Sequence, residues 1–126
     1  MTKLLIADDD ADLRDFLRNE LTNIGYSLVT VGNGADAIIK VAEQSFDIIL
    51  LDMLMPGLDG IQVIKVLQKI APQIPIIGLT GYVGRGYMAQ ALDLNVITLT
   101  KPIIVSNLVE EIESIIKQNK KKTLQA

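Results

Sequence analysis

The stretch Ile48-Ile49-Leu50-Leu51-Asp52-Met53-Leu54-Met55-Pro56-Gly57-Leu58-Asp59-Gly60 sends four large apolar residues straight into an acid, then turns on proline and glycine. A run that is apolar at every position, rather than at alternate ones, reads as a strand covered on both faces. An ionised carboxylate at its end loses hydration, which is costly unless something pairs with it. Asp52 is therefore either a satisfied structural cap or the point of the protein.

Outward from this strand the chain repeats one pattern. Apolar runs recur at Leu4–Ala7, Leu28–Val31, Ile74–Leu79 and Val96–Leu99, none with clean in-out alternation. Helical periodicity fills the gaps. Leu13, Phe16, Leu17, Leu21 and Ile24 make one stripe, ended by Gly25. Ile38, Val41 and Ala42 make a second, and Ile61, Ile64 and Leu67 a third. Met88, Ala91 and Leu92 make a weaker fourth; Leu108, Ile112, Ile115 and Ile116 make a strong last one. Strand and helix alternating five times predict an α/β fold: a doubly wound, five-stranded parallel sheet with right-handed crossovers and helices on both faces. In such sheets the loops after the carboxyl ends of the strands build the site. With strand order 2-1-3-4-5, Asp8-Asp9-Asp10, Asp52, Thr80-Gly81 and Thr100-Lys101-Pro102 converge at one rim, while the second strand contributes only Gly32-Asn33-Gly34.

Composition limits what that rim can do. At 126 residues, 49% apolar and 21% charged, the chain is sized for one core. It has neither cysteine nor histidine, so thiolates, disulfides, imidazole bases and the usual zinc ligands are excluded. A net charge of −3 argues against direct nucleic-acid binding, and Lys120-Lys121-Lys122 reads as a solvated end. No apolar run is long enough to span a membrane, and the four-residue run after Lys3 is too short for a secretion signal, so a cytoplasmic location and no membrane partner are expected. Residues 1–118 are expected to form the domain, with 119–126 a polar, frayed tail.

Each member of the constellation has a plainer reading beside the chemical one. Asp10 suits the N-cap of the helix starting near Ala11. Asp8 and Asp9 beside Asp52 crowd carboxylates that repel unless a cation intervenes. Oxygen donors without His or Cys suit Mg2+. Lys101 can snorkel into solvent, or be aimed by the restricted backbone before Pro102, in one direction if that bond is cis. Thr80 can be an ordinary β-branched strand residue. Together they offer what phosphoryl transfer needs: a nucleophile, a metal site, and donors for the equatorial oxygens.

The set Asp8-Asp9, Asp52, Thr80 and Lys101-Pro102 resembles the receiver domain of two-component response regulators, of the stand-alone, chemotaxis-regulator-like kind. The segments Leu4-Leu5-Ile6-Ala7-Asp8-Asp9-Asp10 and Leu51 to Gly60 agree, and the resemblance covers about residues 3 to 118. It implies a flavodoxin-like fold and a phosphoacceptor that assists its own phosphorylation and dephosphorylation, rather than an enzyme acting on a separate substrate. It implies that Asp52 attacks a phosphohistidine on a histidine kinase or phosphotransfer protein. Asp9 and Asp52 would be Mg2+ ligands, with the backbone carbonyl of Leu54 a third and Asp8 acting mainly through water. Lys101 would pair with the phosphoryl oxygens and Thr80 would donate to one of them. An output protein would bind the face of the fourth helix, fifth strand and fifth helix.

The sequence departs from the family at the parts that couple phosphorylation to output. Most receivers carry Tyr or Phe three residues before the lysine, where this chain has Thr98. Leu94-Asn95 stands where Gly-Ala is usual, with Asn95 in the place of the turn glycine. Thr80-Gly81-Tyr82 matches a receiver subgroup that lacks the switch aromatic, and Gly84 and Gly86 around Arg85 leave the start of the fourth helix weakly specified. Three readings follow: a signalling switch, a phosphate carrier or adaptor without a strong conformational switch, and a flavodoxin-like cofactor binder. The last lacks a Ser- or Thr-rich phosphate loop after the first strand.

Overall fold

The structure is a computed structural model and describes residues 1–81 and 87–125. Strands β1 (Lys3–Ala7), β2 (Ser27–Val31), β3 (Ile48–Asp52), β4 (Ile76–Thr80) and β5 (Ile97–Thr100) alternate with helices α1 (Ala11–Ile24), α2 (Gly34–Glu43), α3 (Gly60–Ile70), α4 (Tyr87–Asp93) and α5 (Val105–Gln125). All strand pairs are parallel and the order is β2-β1-β3-β4-β5, as the repeating pattern predicts.

Successive residues of a strand point to opposite faces, so the apolar runs feed two cores. Leu4, Ile6, Ile48, Leu50, Ile77 and Leu79 pack with Leu17 and Leu21 of α1 and Leu108, Ile112 and Ile115 of α5. Leu5, Ala7, Ile49, Leu51 and Ile76 pack with Ala37 of α2, Val63, Ile64 and Leu67 of α3, and Ala91 of α4. The α1 stripe is narrower than its sequence: Phe16 and Ile24 are 45% and 51% exposed, because only Leu17 and Leu21 reach the sheet squarely. Leu92 is likewise turned outward from α4, while Ala91 is buried. The side chain of Met88 lies outside the described residues.

Caps fix where the helices begin. Asp10 accepts from the N–H groups of Asp12 and Leu13, the capping role expected of it and worth about 1 kcal/mol. Asn33 caps α2 and Asp59 caps α3. Asn95 has φ 62°, so it supplies the left-handed turn before β5 that glycine more often makes. Gly60 is required by proximity: a Cβ there would lie 2.7 Å from the carbonyl oxygen of Met53. That clash-free approach draws the start of α3 tight under the loop that follows Asp52.

The end of the chain differs from expectation. The polar composition from Asn119 onward predicts a frayed tail, whereas the α5 backbone runs on to Gln125. Gln, Lys and Leu are good helix formers, and the lysines sit at the carboxyl end, where the helix dipole favours positive charge.

Candidate functional site

The parallel register carries three strand ends to one rim. Ala7 pairs with Leu51, which sets Asp8 level with Asp52, and Asp52 pairs with Leu79, which sets Thr80 one step beyond it on the neighbouring strand. All three are buried, at 0%, 3% and 0% exposure, and they are the polar residues buried among those described. Asp9 is exposed at the mouth. One carboxylate oxygen from each of Asp8, Asp9 and Asp52 lies within 4.8 Å of the others.

Lys101 enters from the edge strand. Its N–H donates to the Thr80 carbonyl at 2.7 Å, extending the β4–β5 ladder past Thr100, and the Lys101–Pro102 peptide is cis. From there the side chain turns inward, and its Nζ lies 2.9 Å from Asp8 Oδ2 and 3.2 Å from Asp52 Oδ2. Of the two readings open for Lys101, the structure supports the inward one. The remaining oxygens are held by backbone: the Asp10 N–H donates to Asp8 Oδ1 at 2.9 Å and the Leu54 N–H to Asp52 Oδ1 at 3.1 Å.

These surroundings set the electrostatics. Burial pushes the Asp52 carboxyl up from 3.8 to about 6, and the Asp8 charge adds to that. The Leu54 N–H and the Lys101 ammonium pull the other way without cancelling it. At Lys101 burial disfavours the charge, but hydrogen bonds and attraction from Asp8 and Asp52 outweigh it and hold the ammonium above its ordinary value. The site thus pairs one ammonium with buried acids and leaves Asp52 short of full compensation.

The donor set fits a hard divalent cation. Oxygen donors alone are available, they are crowded, and Asp9 faces the solvent from which an ion would arrive. The residues that the sequence places at the rim do lie together there, but the sequence reading does not single out Arg14. Arg14 Nη1, on the first turns of α1, donates to the Asp8 carbonyl oxygen at 2.6 Å. Its spacing from Asp8 matches no motif, and only the path of the β1–α1 turn brings the two together. The segment from Tyr82 to Gly86, singled out in the sequence for its glycines, lies outside the described residues.

Comparison with known proteins gives this arrangement its class. The family model for the response regulator receiver domain matches residues 4–113. The chain belongs to that family, the receiver domains of two-component response regulators. It is 32% identical over 117 residues to the response regulator receiver protein CpdR of Brucella abortus (strain 2308), covering 92% of this chain and 98% of that one. It is 32% identical over 95% of its length to the transcriptional regulatory protein YkoG of Bacillus subtilis (strain 168), but spans only 53% of that longer relative. Among solved structures it is similar to the response regulator TrrA of Thermotoga maritima, in complex with Mg2+–BeF, at 28% identity and a TM-score of 0.82, covering 91% of this chain and 99% of that one.

Proposed function

We propose that Asp52 accepts a phosphoryl group from a phosphohistidine on a histidine kinase or phosphotransfer protein, and that the phosphorylated form is read by a protein partner. A carboxylate oxygen of Asp52 forms the new O–P bond as the P–N bond breaks, and the electron pair leaves with the imidazole nitrogen. Lys101, already between Asp8 and Asp52, pairs with a phosphoryl oxygen, and the Thr80 hydroxyl donates to another. Mg2+ would be held by Asp9, Asp52 and the Leu54 carbonyl, with Asp8 acting through water; once bound it would supply positive charge against the crowded acids and the phosphoryl oxygens.

The observation that carries this reading is the Lys101 ammonium within 3.2 Å of a buried Asp52, inside an acid cluster at the carboxyl end of a parallel sheet. A structural cap needs no second and third acid beside it. Incubation with acetyl phosphate and Mg2+ should add one phosphoryl group by intact mass, with acetate as the leaving group. Asp52→Asn, or chelation of the metal, should reduce labelling at least a hundredfold; full labelling of Asp52→Asn would sink the assignment. The chain has no tryptophan, so mass rather than indole fluorescence is the readout.

Output is assigned to the face of α4, β5 and α5. A second reading, a phosphate carrier without a strong switch, draws support from Thr98. It sits half-buried beside Gly78 on β4, and a methyl group with a hydroxyl cannot swing into vacated space as a ring does.

A further inference from the structure

The three acids are not held equally. Both oxygens of Asp8 are engaged, by the Asp10 N–H and by Lys101, and both oxygens of Asp52, by the Leu54 N–H and by Lys101. The Asp9 carboxylate has no such partner among the described residues, so its place is set by its backbone. That backbone hangs on the peptide joining Asp8 to Asp9. The Asp8 N–H is fixed by the β2 partner, donating to the Val31 carbonyl at 3.1 Å. The carbonyl side of the same residue is fixed by Arg14 Nη1 at 2.6 Å. The guanidinium is confined in turn: a Cβ on Gly32 would lie 3.3 Å from Nη1. A half-buried arginine threaded between the β1–α1 turn and Gly32 is costly in side-chain entropy, and it touches no carboxylate of the cluster.

We infer that Arg14 is a positioning residue for the cation site, fixing the Asp8–Asp9 peptide so that the otherwise unpartnered Asp9 carboxylate stands where a divalent cation requires it. The inference rests on the Mg2+ site proposed above and extends it to a residue that does not itself ligate.

The sign of the effect separates positioning from charge. A guanidinium close to a cation site repels the cation, so a role through charge alone would make a neutral variant bind Mg2+ more tightly. A role through positioning makes the same variant bind more weakly, by roughly tenfold, the low end of what losing an outer-shell partner costs a metal site. Titration of the full chain with MgCl2, followed by amide chemical shifts, reads the dissociation constant without any phosphoryl chemistry. Arg14→Gln should weaken binding about tenfold, and Gly32→Ala, which crowds the guanidinium from the other side, by a smaller but measurable factor. Arg18→Gln is the control on the same helix, since Arg18 donates to Thr30 Oγ1 on β2 and reaches none of the acids. Its affinity should match that of the wild type.

Equal or tighter binding by Arg14→Gln would overturn the inference while leaving the site intact. So would equal weakening by Arg14→Gln and Arg18→Gln, which would trace the loss to α1 as a whole. Absence of saturable binding to the wild type at millimolar MgCl2 would overturn both the inference and the proposed function. Should Arg14→Gln unfold, Gly32→Ala against Arg18→Gln gives the same decision.

Discussion

All five residues of β3 are buried, whereas none of the four residues of β5 is. Both strands nevertheless deliver a charged group to the same few ångströms of rim. β3 lies at the centre of the sheet, paired with β1 and β4 and covered on both faces, so Asp52 is placed by a rigid frame. β5 is an edge strand with Ile97 and Thr100 exposed, and Lys101 reaches the acids on a long flexible stem. The acid sits in the most buried strand, and the cation that answers it comes from the least buried one. With the output face we propose on the β5 side, that asymmetry would put the chemistry where burial is deepest and the reporting where it is shallowest.

The largest test of this contrast is a matched pair of truncations. Leu50→Ala, in the middle of β3, should destabilise the domain by about 3 kcal/mol, within the range for emptied core leucines. Leu99→Ala, half-buried on β5, should cost on the order of 1 kcal/mol. Chemical denaturation gives both values, and equal costs would remove the distinction between centre and edge.

Next in size is the cost of the acceptor itself. Folding raises the Asp52 carboxyl from 3.8 to about 6, so between those values the folded chain holds a proton that the unfolded chain has released. Stability from this group is therefore present below pH 4 and falls as pH rises towards 6. Without metal, Asp52→Asn should stabilise the protein by about 2 kcal/mol at pH 7.5, a gain that fades by pH 4. A gain of the same size at both pH values, or a loss at pH 7.5, would show that burial does not govern Asp52.

The smallest expected effect lies furthest from the rim. We propose residues 1–118 as the functional unit, so truncation after Gln118 should leave the rate of acetyl phosphate labelling unchanged within scatter. A rate altered more than twofold would mean that the last turns of α5 matter to the site.

Much of this is legible in the sequence. The apolar runs locate every strand to within two residues; in β1, β3 and β4, covered on both faces, almost no polar position blurs the signal, whereas the edge strands β2 and β5 carry Ser27, Thr30, Thr98 and Thr100 and are far less buried than such a run suggests. The exceptions have physical causes. β4 begins at Ile76 rather than Ile74 because Pro75 has no N–H for the ladder, although Ile74 is still buried. Val96 was read as strand, but its N–H closes α4 by donating to the Ala91 carbonyl. Exposure of Phe16, Ile24 and Leu92 could not be read, since hydrophobic periodicity gives a stripe and not its width. The rim residues are readable because each ends a strand or lies just past its end. Arg14 was not, because its contact depends on a turn that brings a helix side chain back over the strand it has just left.

In the proposed function one residue, Asp52, carries the phosphoryl group. This is tested most directly by labelling with acetyl phosphate and Mg2+, reducing the acyl phosphate with borohydride, and sequencing the peptides by mass spectrometry. Reduction converts an aspartyl phosphate to homoserine and so marks the residue that held it. Homoserine is expected at position 52 alone, and none when the metal is chelated. Homoserine at position 8 or 9 instead, or anywhere in a sample lacking Mg2+, would contradict it.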